Sequence, residues 1–449
     1  MDQILNPALD STHPVTPTRS EQFAVFARIG LLSFGGPAGQ IALMHQELVD
    51  DRRWIDEGAF LRALNFCHFL PGPEAQQLAT YIGWRIGGWK SGVIAGTLFV
   101  IPGALVILAL SILYALAANL SWFAAMFVGI KAAVVAIVVQ ALIRIGSRAL
   151  DSGFKRLLAF AAFLALFVFA APFPLVILAA ALAGWYAATA HPAWLGKAAH
   201  TNSDASEVAG PRPTLASLRA ILIWGAIWVA PVLAILALLG PDHVLMDIAK
   251  FFSTLAVVTF GGAYAVLAYM AQEAVTTYGW LNAGEMADGL GLAESTPGPL
   301  ILVTQFVGFL GAYRDPAPFD PMVAGIIGAA LTSWVTFAPC FLWIFALAPW
   351  IERLEHARRL QGALAAVTAA VVGVIANLTL WFALHVLFAR VGRIEAGPVS
   401  MSWPDWSSLD PVALGLALAA LVLALRFRWS VFRLLGAGAA AGIVLALIE

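Results

Sequence analysis

Two Pro-Gly-Pro triplets, at 71–73 and 297–299, stand in apolar surroundings with polar side chains on either side. Proline removes a backbone donor and glycine permits left-handed geometry, so each triplet predicts that one helix ends and another begins. The new helix N-terminus exposes unpaired amides and a partial positive charge, which suits an anion. Because broken backbone persists in lipid only where protein buries it or it lines a cavity, the triplets predict a substrate cavity.

Two Phe-Gly-Gly triplets, at 34–36 and 260–262, form a second pair of breaks. The alternative is that the glycines only let helices pack closely and that the nearby glutamines are interhelical hydrogen-bond partners. For four breaks together we favour a site, and for the glutamines both interpretations stay open. The candidate substrate-binding residues are Gly35, Gly36, Pro37, Gln40, Pro71, Gly72, Pro73, Glu74, Gln76, Gln77, Gly261, Gly262, Ser295, Thr296, Pro297, Gly298, Pro299 and Gln305.

Ionisable residues at membrane depth are costly, so they are functional candidates by default. Arg28 precedes the first Phe-Gly-Gly, Glu294 precedes the second Pro-Gly-Pro, and Lys131 lies near the middle of an apolar run. For Lys131 the alternative is snorkelling toward a loop, and His68 is predicted to be a packing histidine. The sequence shows no metal-ligand spacing, nucleophile elbow or phosphate-binding loop, so we expect no metal, no cofactor and no catalytic residue.

The elements that position these residues must be membrane helices. The chain is 61% hydrophobic and only 11% charged, whereas ordinary domains carry about 25% charged residues. Several runs, among them 91–118 and 363–388, exceed the roughly 20 apolar residues that cross a bilayer core. The run after the first Pro-Gly-Pro ends near Gly88 and is too short to cross. The predicted fold is therefore an all-α polytopic membrane protein with broken helices and about 12–13 crossings.

An internal repeat divides the chain into two homologous halves. Shifting the sequence by 226 residues places 34–36 on 260–262 and 71–73 on 297–299, with further identities between them. A polar segment rich in Ala, Ser, Gly and Pro separates the halves. The predicted divisions are a cytoplasmic tail at 1–20, a first half at 21–190, a cytoplasmic linker at 191–214 and a second half at 215–449.

Charge placement predicts that the two halves have opposite orientations. Short cytoplasmic loops collect Lys and Arg. The basic cluster at 144–156 comes two spans after the first Pro-Gly-Pro, whereas the cluster at 353–359 comes one span after the second. Placing both clusters inside inverts the repeat and puts the C-terminus outside. One loop disagrees if the Pro-Gly-Pro segments cross, because Asp51, Arg52 and Arg53 would then face outward.

At these residues the sequence resembles the chromate ion transporter family in its long, two-domain form. The resemblance rests on FARIGLLSFGGPAGQIALMHQELVDDRRWID at 26–56, FLPGPEAQQLATYIGWRIGGWKSGVIAGTLFVIPG at 69–103, TFGGAYAVLAYMAQE at 259–273 and STPGPLILVTQFVGFLGAY at 295–313. It implies efflux of chromate, a tetrahedral dianion resembling sulfate, across the bacterial inner membrane. The second half departs from the pattern at Ala263, in place of Pro37, and at Leu300, in place of Glu74, so we expect unequal contributions.

Uptake of sulfate or another oxyanion, and an anion channel, are the alternatives. A dianion leaving an inside-negative cell gains roughly 4.6 kcal/mol per 100 mV from the field, so export by alternating access needs no coupling ion. Uptake of a dianion would need a coupling ion. The expected partners are the oxyanion and the lipid bilayer, with a homodimer as a further expectation and no nucleic acid.

Overall fold

The computed structural model describes residues 17–34, 36–117, 120–200, 214–258, 260, 263–351 and 357–448. Three predicted site residues, Gly35, Gly261 and Gly262, lie outside the described residues, as do most of the 1–20 tail and of the 191–214 linker. The described part is almost entirely helical, and seven of its helices are long and apolar enough to cross a membrane. The predicted all-α polytopic membrane fold is confirmed.

The first half contains seven of the described helices. They are α1 (Arg19–Leu32), α2 (Gly36–His45), α3 (Glu57–His68), α4 (Glu74–Ala117), α5 (Ser121–Ala149), α6 (Gly153–Phe167) and α7 (Phe173–Ala190). A π-helical turn, Gln46–Asp51, extends α2. Helix α4 breaks at Gly87 and Gly88, whose backbone leaves helical geometry. It therefore has a short arm, 74–86, and a long arm, 89–117, and the short arm matches the predicted incomplete crossing.

The second half repeats this series after one additional helix. The helices are α8 (Thr214–Leu239), α9 (Val244–Val258), α10 (Ala263–Gln272), α11 (Ala283–Ser295), α12 (Val303–Arg314), α13 (Pro321–Leu347), α14 (Arg358–Leu387), α15 (Pro411–Leu425) and α16 (Val431–Ile448). A π-helical turn, Glu273–Thr277, extends α10. An antiparallel hairpin of β1 (Val391–Ala396) and β2 (Val399–Pro404) follows α14 and adds a small β element to the helical fold.

The 226-residue repeat is present in the structure as well as in the sequence. Helices α1, α2 and α3 correspond to α9, α10 and α11, and the two π-helical turns correspond to each other. The N-caps correspond too: the Asp56 side chain accepts a hydrogen bond from the amide of Ala59, and Asn282 forms a capping box with Glu285. Equivalent capping residues start equivalent helices, so the repeat includes the local signals that begin each helix.

In the second half, the broken segments double back instead of crossing. The guanidinium of Arg314, at the end of α12, bonds the carboxylate of Glu285, at the start of α11, at 2.5 and 3.0 Å. The imidazole of His243, just before α9, lies 2.7 Å from the carbonyl oxygen of Ala317. Helices α11 and α12 thus form one hairpin. The rings of Phe251 on α9 and Tyr278, just after the turn that extends α10, lie 5.4 Å apart between centroids, so α9 and α10 form another. The Pro-Gly-Pro break forms the tip between α11 and α12.

The first half has the same two hairpins. In the first hairpin, the guanidinium of Arg28, on α1, lies 3.1 Å from the carboxylate of Glu47, in the turn that extends α2. Phe66 and Tyr81, on the two arms of the second hairpin, pack at 5.6 Å. This arrangement modifies the sequence interpretation, in which the Pro-Gly-Pro segments cross. The segments counted in the 12–13 crossings divide into full-length helices and re-entrant arms.

The order of full-length helices accounts for the inverted repeat. Five helices, namely the long arm of α4 and α5 to α8, lie between the hairpins of the two halves. Because five is odd, the hairpins of the two halves start from opposite faces. We call the face with Ser152 and Trp194, beside the basic cluster at 144–156, the inner face; the face with Val168 and His243 is the outer face. The loop at 51–53 then lies at the inner face, which removes its disagreement with the positive-inside rule.

Candidate functional site

Three of the four breaks meet at one small cavity between the halves. Its volume of about 20 Å³ is enough for about one water molecule. The lining comes from the start of α2, from the first Pro-Gly-Pro and the start of α4, and from the second Pro-Gly-Pro. It consists of Pro37, Gln40, Pro73, Glu74, Ala75, Pro299, Leu300 and Ile301. The convergence of breaks from both halves agrees with the expectation of a shared site.

Hydrogen bonds join the first Phe-Gly-Gly break to the second Pro-Gly-Pro break. The amide of Gly298 donates to the carbonyl oxygen of Ser33 at 2.8 Å. The Gln40 side chain donates to the carbonyl oxygen of Gly298 at 2.6 Å and is only 1% exposed. At the position equivalent to Gln40 the second half has Val266, which cannot make this bond. The contact between the halves is therefore chemically asymmetric.

Each Pro-Gly-Pro tip packs against a full-length helix of the other half. The backbone of Gly298, with φ of 86°, lies so close to α4 that a Cβ on Gly103 would overlap the Pro297 carbonyl. Gly72, with φ of 110°, faces α13, and a Cβ there would lie 3.0 Å from the sulfur of Cys340. Positive φ and close approach together explain why both triplets have glycine at the centre.

The start of α4, just after the first Pro-Gly-Pro, contains buried polar atoms that accept no hydrogen bond from the described residues. The Gln77 side chain donates to the carbonyl oxygen of Pro71 at 2.6 Å and so bridges the break. Gln76 contacts the hydroxyl of Thr80 at 3.3 Å. Within the described part of the chain, the carboxamide oxygens of Gln76 and Gln77 are buried and accept no hydrogen bond. Each such atom costs about 1–3 kcal/mol, so its retention beside a helix break favours a functional role.

An ionisable pair flanks each Pro-Gly-Pro, but the two pairs differ. His68 lies 3.1 Å from the Glu74 carboxylate across the first tip, and its side chain is 47% exposed. His68 thus has a polar partner and an exposed side chain, and its role as a packing histidine stays a prediction. At the second tip, the Tyr264 hydroxyl donates to buried Glu294 at 2.8 Å. Glu74 is the carboxylate in the cavity lining, and His68 is the group able to neutralise it.

Several candidates lie away from the cavity lining. Gln305 donates to the carbonyl of Ala104 at 2.8 Å and accepts from Ser333 at 2.7 Å, so it connects three helices. The hydroxyls of Ser295 and Thr296 bond carbonyls of their own helix, α11. For Gln305 the structure favours the interhelical interpretation, whereas Gln40, Gln76 and Gln77 remain at the breaks.

The charged candidates are all paired. Arg28 is 59% exposed and lies 3.1 Å from the carboxylate of Glu47. Lys131 does not extend to a loop, because its ammonium lies 3.4 Å from the carboxylate of Asp288 on α11. The Tyr114 hydroxyl donates to the same carboxylate at 2.8 Å. This cluster joins the halves, and sequence reasoning missed Asp288 and Tyr114 because the partner of Lys131 lies in the other half.

These features define a class of protein: a multi-pass transporter in which broken helices from two inverted repeats meet at a shared cavity. A family model identifies the protein family to which the chain belongs. The chain belongs to the chromate transporter family, because the family model described as Chromate transporter matches residues 20–185 and 246–443. The two matched segments start 226 residues apart, at the offset found within the sequence.

Three relatives of similar length match most of the chain, and two of them are described as chromate transport proteins. A chromate transport protein from Pseudomonas aeruginosa is 31% identical over 390 residues, covering 86% of this chain and 86% of the relative. One from Cupriavidus metallidurans is 29% identical over 369 residues, covering 82% and 84%. An uncharacterized transporter from Methanocaldococcus jannaschii is 25% identical over 373 residues, covering 82% and 86%. No solved structure matches the chain.

Proposed function

We propose that this protein exports chromate from the cytoplasm across the bacterial inner membrane, and so gives chromate resistance. The observation that carries the proposal is the meeting of three helix breaks from both halves at one buried cavity. The names of the relatives from Pseudomonas aeruginosa and Cupriavidus metallidurans support chromate as the substrate. The alternatives, oxyanion uptake and an anion channel, use the same cavity and differ in energetics.

The chemistry at the tips suits a tetrahedral dianion. The short arm of α4 begins at Glu74, immediately after the first triplet, and the helical turn Leu300–Leu302 begins immediately after the second. Both therefore direct N-terminal amides toward the region of the cavity, where their partial positive charge favours an anion. The negative charge of Glu74 opposes this, and a protonated His68 would offset it.

The small size of the cavity supports alternating access. A volume of about 20 Å³ does not hold an ion of five heavy atoms, so the tips must separate for chromate to bind. The contacts that would break are the two between the halves, from Gly298 to Ser33 and from Gln40 to Gly298. We infer that rocking of the inverted halves breaks them and exposes the site to one face at a time.

The direction is inferred from the membrane field. A dianion moving outward gains roughly 4.6 kcal/mol at 100 mV, so export proceeds without a coupling ion. Uptake of sulfate would run against the same field and would need protons or cations. Dependence of flux on a pH gradient, with no effect of membrane potential, would support uptake instead.

Flux assays in proteoliposomes test the proposed function. Potential-driven chromate movement that sulfate competes with is the expected result. Gln40→Val removes a charge-free hydrogen bond between the halves, worth about 1 kcal/mol; we expect it to change the apparent chromate affinity about fivefold. Gln140→Leu is the matched control, because Gln140 also donates to a backbone carbonyl, that of Ala424 at 3.3 Å, and does not line the cavity at the tips. Equal effects of the two variants would contradict the site.

Further measurements address the remaining expectations. Acceleration of labelled chromate efflux by chromate on the opposite side would favour a carrier over a channel. Light scattering of the purified protein would test the proposed homodimer. The divisions at 21–190, 191–214 and 215–449 stay a proposal, which co-expression of the two halves as separate chains would test.

A further inference from the structure

Two adjoining cavities lie at the outer face, beside the β-hairpin. The first has a volume of about 220 Å³ and is bounded by α6, α10, α14 and both strands. The second is a wider groove of about 790 Å³, and it shares Val275, His385 and Val391 with the first. We call the two together the outer vestibule. It is much larger than the cavity at the tips and separate from it.

The lining of the first cavity is cationic and rich in hydrogen-bond donors. Its described lining residues include no carboxylate. Arg393 supplies a guanidinium that forms no ion pair with any described residue. The other polar members are Gln272, Thr276, Asn377, His385, Ser400 and Ser402. A cavity with one uncompensated cation and several neutral donors suits an oxyanion, because charge-assisted hydrogen bonds to oxygen atoms are the strong ones.

Two features hold these groups in place. The amide of Ser400, on β2, donates to the carbonyl of Val168 at 2.8 Å, which fixes the β-hairpin to the turn after α6. The Nδ1–H group of His385 donates to the carbonyl oxygen of Trp381 at 2.8 Å, which fixes the ring in the cavity wall; Nε2 of the neutral imidazole is an acceptor, so the ring supports the wall and is not one of its donors. The cavity is thus built from three separate segments held together by specific contacts.

The groove extends from this cavity to the charged cluster between the halves. Its one acidic lining residue, Glu285, bonds Arg314 through both carboxylate oxygens, so it adds little negative charge. Gly284, which lines the groove, lies next to Lys131, whose ammonium would be 3.2 Å from a Cβ at that position. Among the described residues, the vestibule therefore has one cation without an ion pair, Arg393, and one paired cation, Lys131, beside its lining.

We propose that the outer vestibule is a second oxyanion-binding site, in which a tetrahedral dianion is held at the outer face as it leaves the protein. The inference rests on the proposed function for the nature of the ligand. It adds a regulatory consequence: external sulfate occupies the vestibule and slows the release of chromate. Arg393 determines this sensitivity, with Asn377 and Gln272 as neutral donors.

Right-side-out vesicles loaded with chromate test the proposal. Chromate loss is followed at increasing external sulfate, and the sulfate concentration for half-inhibition is determined relative to each variant's own flux in sulfate-free medium. We expect Arg393→Gln to raise that concentration at least about tenfold, the loss typical of a hydrogen bond to a charged group. Arg393→Lys keeps the charge and should recover part of the sensitivity.

Arg390→Gln is the matched control. Arg390 precedes β1, pairs with Asp405 at 2.9 Å and does not line either cavity, so the same charge change should leave half-inhibition unaltered. Equal shifts for Arg390→Gln and Arg393→Gln, or no shift for Arg393→Gln, would overturn the vestibule proposal. Absence of chromate flux from the unaltered protein would instead overturn the proposed function, so the two failures are distinguishable.

Discussion

The two Pro-Gly-Pro hairpins have the same backbone plan but different surroundings. On α3 of the first hairpin, Arg62, Asn65 and His68 share one helix face, and all three are exposed. The equivalent residues of α11 in the second hairpin, Asp288, Gly291 and Glu294, are all buried. The comparison teaches that the repeat encodes the break, whereas neighbouring helices decide whether the approach to it is open or closed.

The second hairpin is buried by side chains of α5 and of the long arm of α4. Gly291 packs directly against Ile130, and Lys131 and Tyr114 both bind Asp288. Polar side chains facing lipid would be costly, so the open face of α3 indicates water reaching the first tip from the inner face. The approach to the first tip is therefore exposed and polar, whereas the Lys131, Tyr114 and Asp288 cluster covers the approach to the second.

Removing the Lys131 cation, which helps to cover the second hairpin, should have the largest effect on stability. Lys131→Met leaves Asp288 buried without its counter-charge, and breaking a buried pair in this way costs about 3–5 kcal/mol. Asp288→Asn should cost less, because Lys131 is 27% exposed and can reach water. Thermal unfolding of the purified protein measures both. The double variant Lys131→Met/Asp288→Leu should recover much of the loss, and a double variant less stable than Lys131→Met would contradict the pairing.

Alanine substitutions of the central glycines should have the next largest effect, and the effect should differ between the two tips. Gly298→Ala adds a Cβ to a residue at positive φ, 3.3 Å from the Gly103 Cα. Because the neighbouring atom belongs to the backbone of a helix, a small side-chain movement cannot relieve the overlap. We expect a loss of about 1–3 kcal/mol in stability, and loss of transport. Gly72→Ala meets the flexible side chain of Cys340 instead and should lose less.

Two further variants control for the backbone strain. Gly88 also has positive φ, at 75°, but nothing lies within 4 Å of a Cβ there, so Gly88→Ala reports strain alone. Cys340→Gly should restore part of the flux lost in Gly72→Ala. If Gly88→Ala is as damaging as Gly298→Ala, close packing of the second tip is not the cause.

Sequence reasoning reached the breaks and the repeat because local chemistry encodes them. Gly72 and Gly298 adopt the positive φ that a Pro-Gly-Pro break requires, and helix ends follow from such residues. It could not give the direction of the arms after each break, because hydropathy measures the length of a segment and not whether it returns. The Arg314 to Glu285 contact, which closes the second hairpin, joins residues 29 apart in sequence and shows no local signal.

The partners of charged residues were hidden for a related reason. The ion pair of Lys131 and the hydrogen bonds of Gln305 depend on how one half packs on the other. Neither periodicity nor a repeat offset reports that packing. The 226-residue offset does indicate that the equivalent helix faces differ in charge, because the basic residue Arg62 corresponds to the acidic Asp288.

Arg62 provides the smallest and most specific test of the open side. If its exposed guanidinium attracts the dianion along the face of α3, Arg62→Gln should lower chromate capture from the inner side by roughly twofold to fivefold at low ionic strength. Screening should remove the difference at high salt, because exposed charges act over about one Debye length. Initial rates in inside-out vesicles measure the effect, with Arg428→Gln, in the loop between α15 and α16, as the control. An equal loss at all salt concentrations would mean that Arg62 supports the hairpin structurally, and the electrostatic difference between the two hairpins would then not contribute to capture.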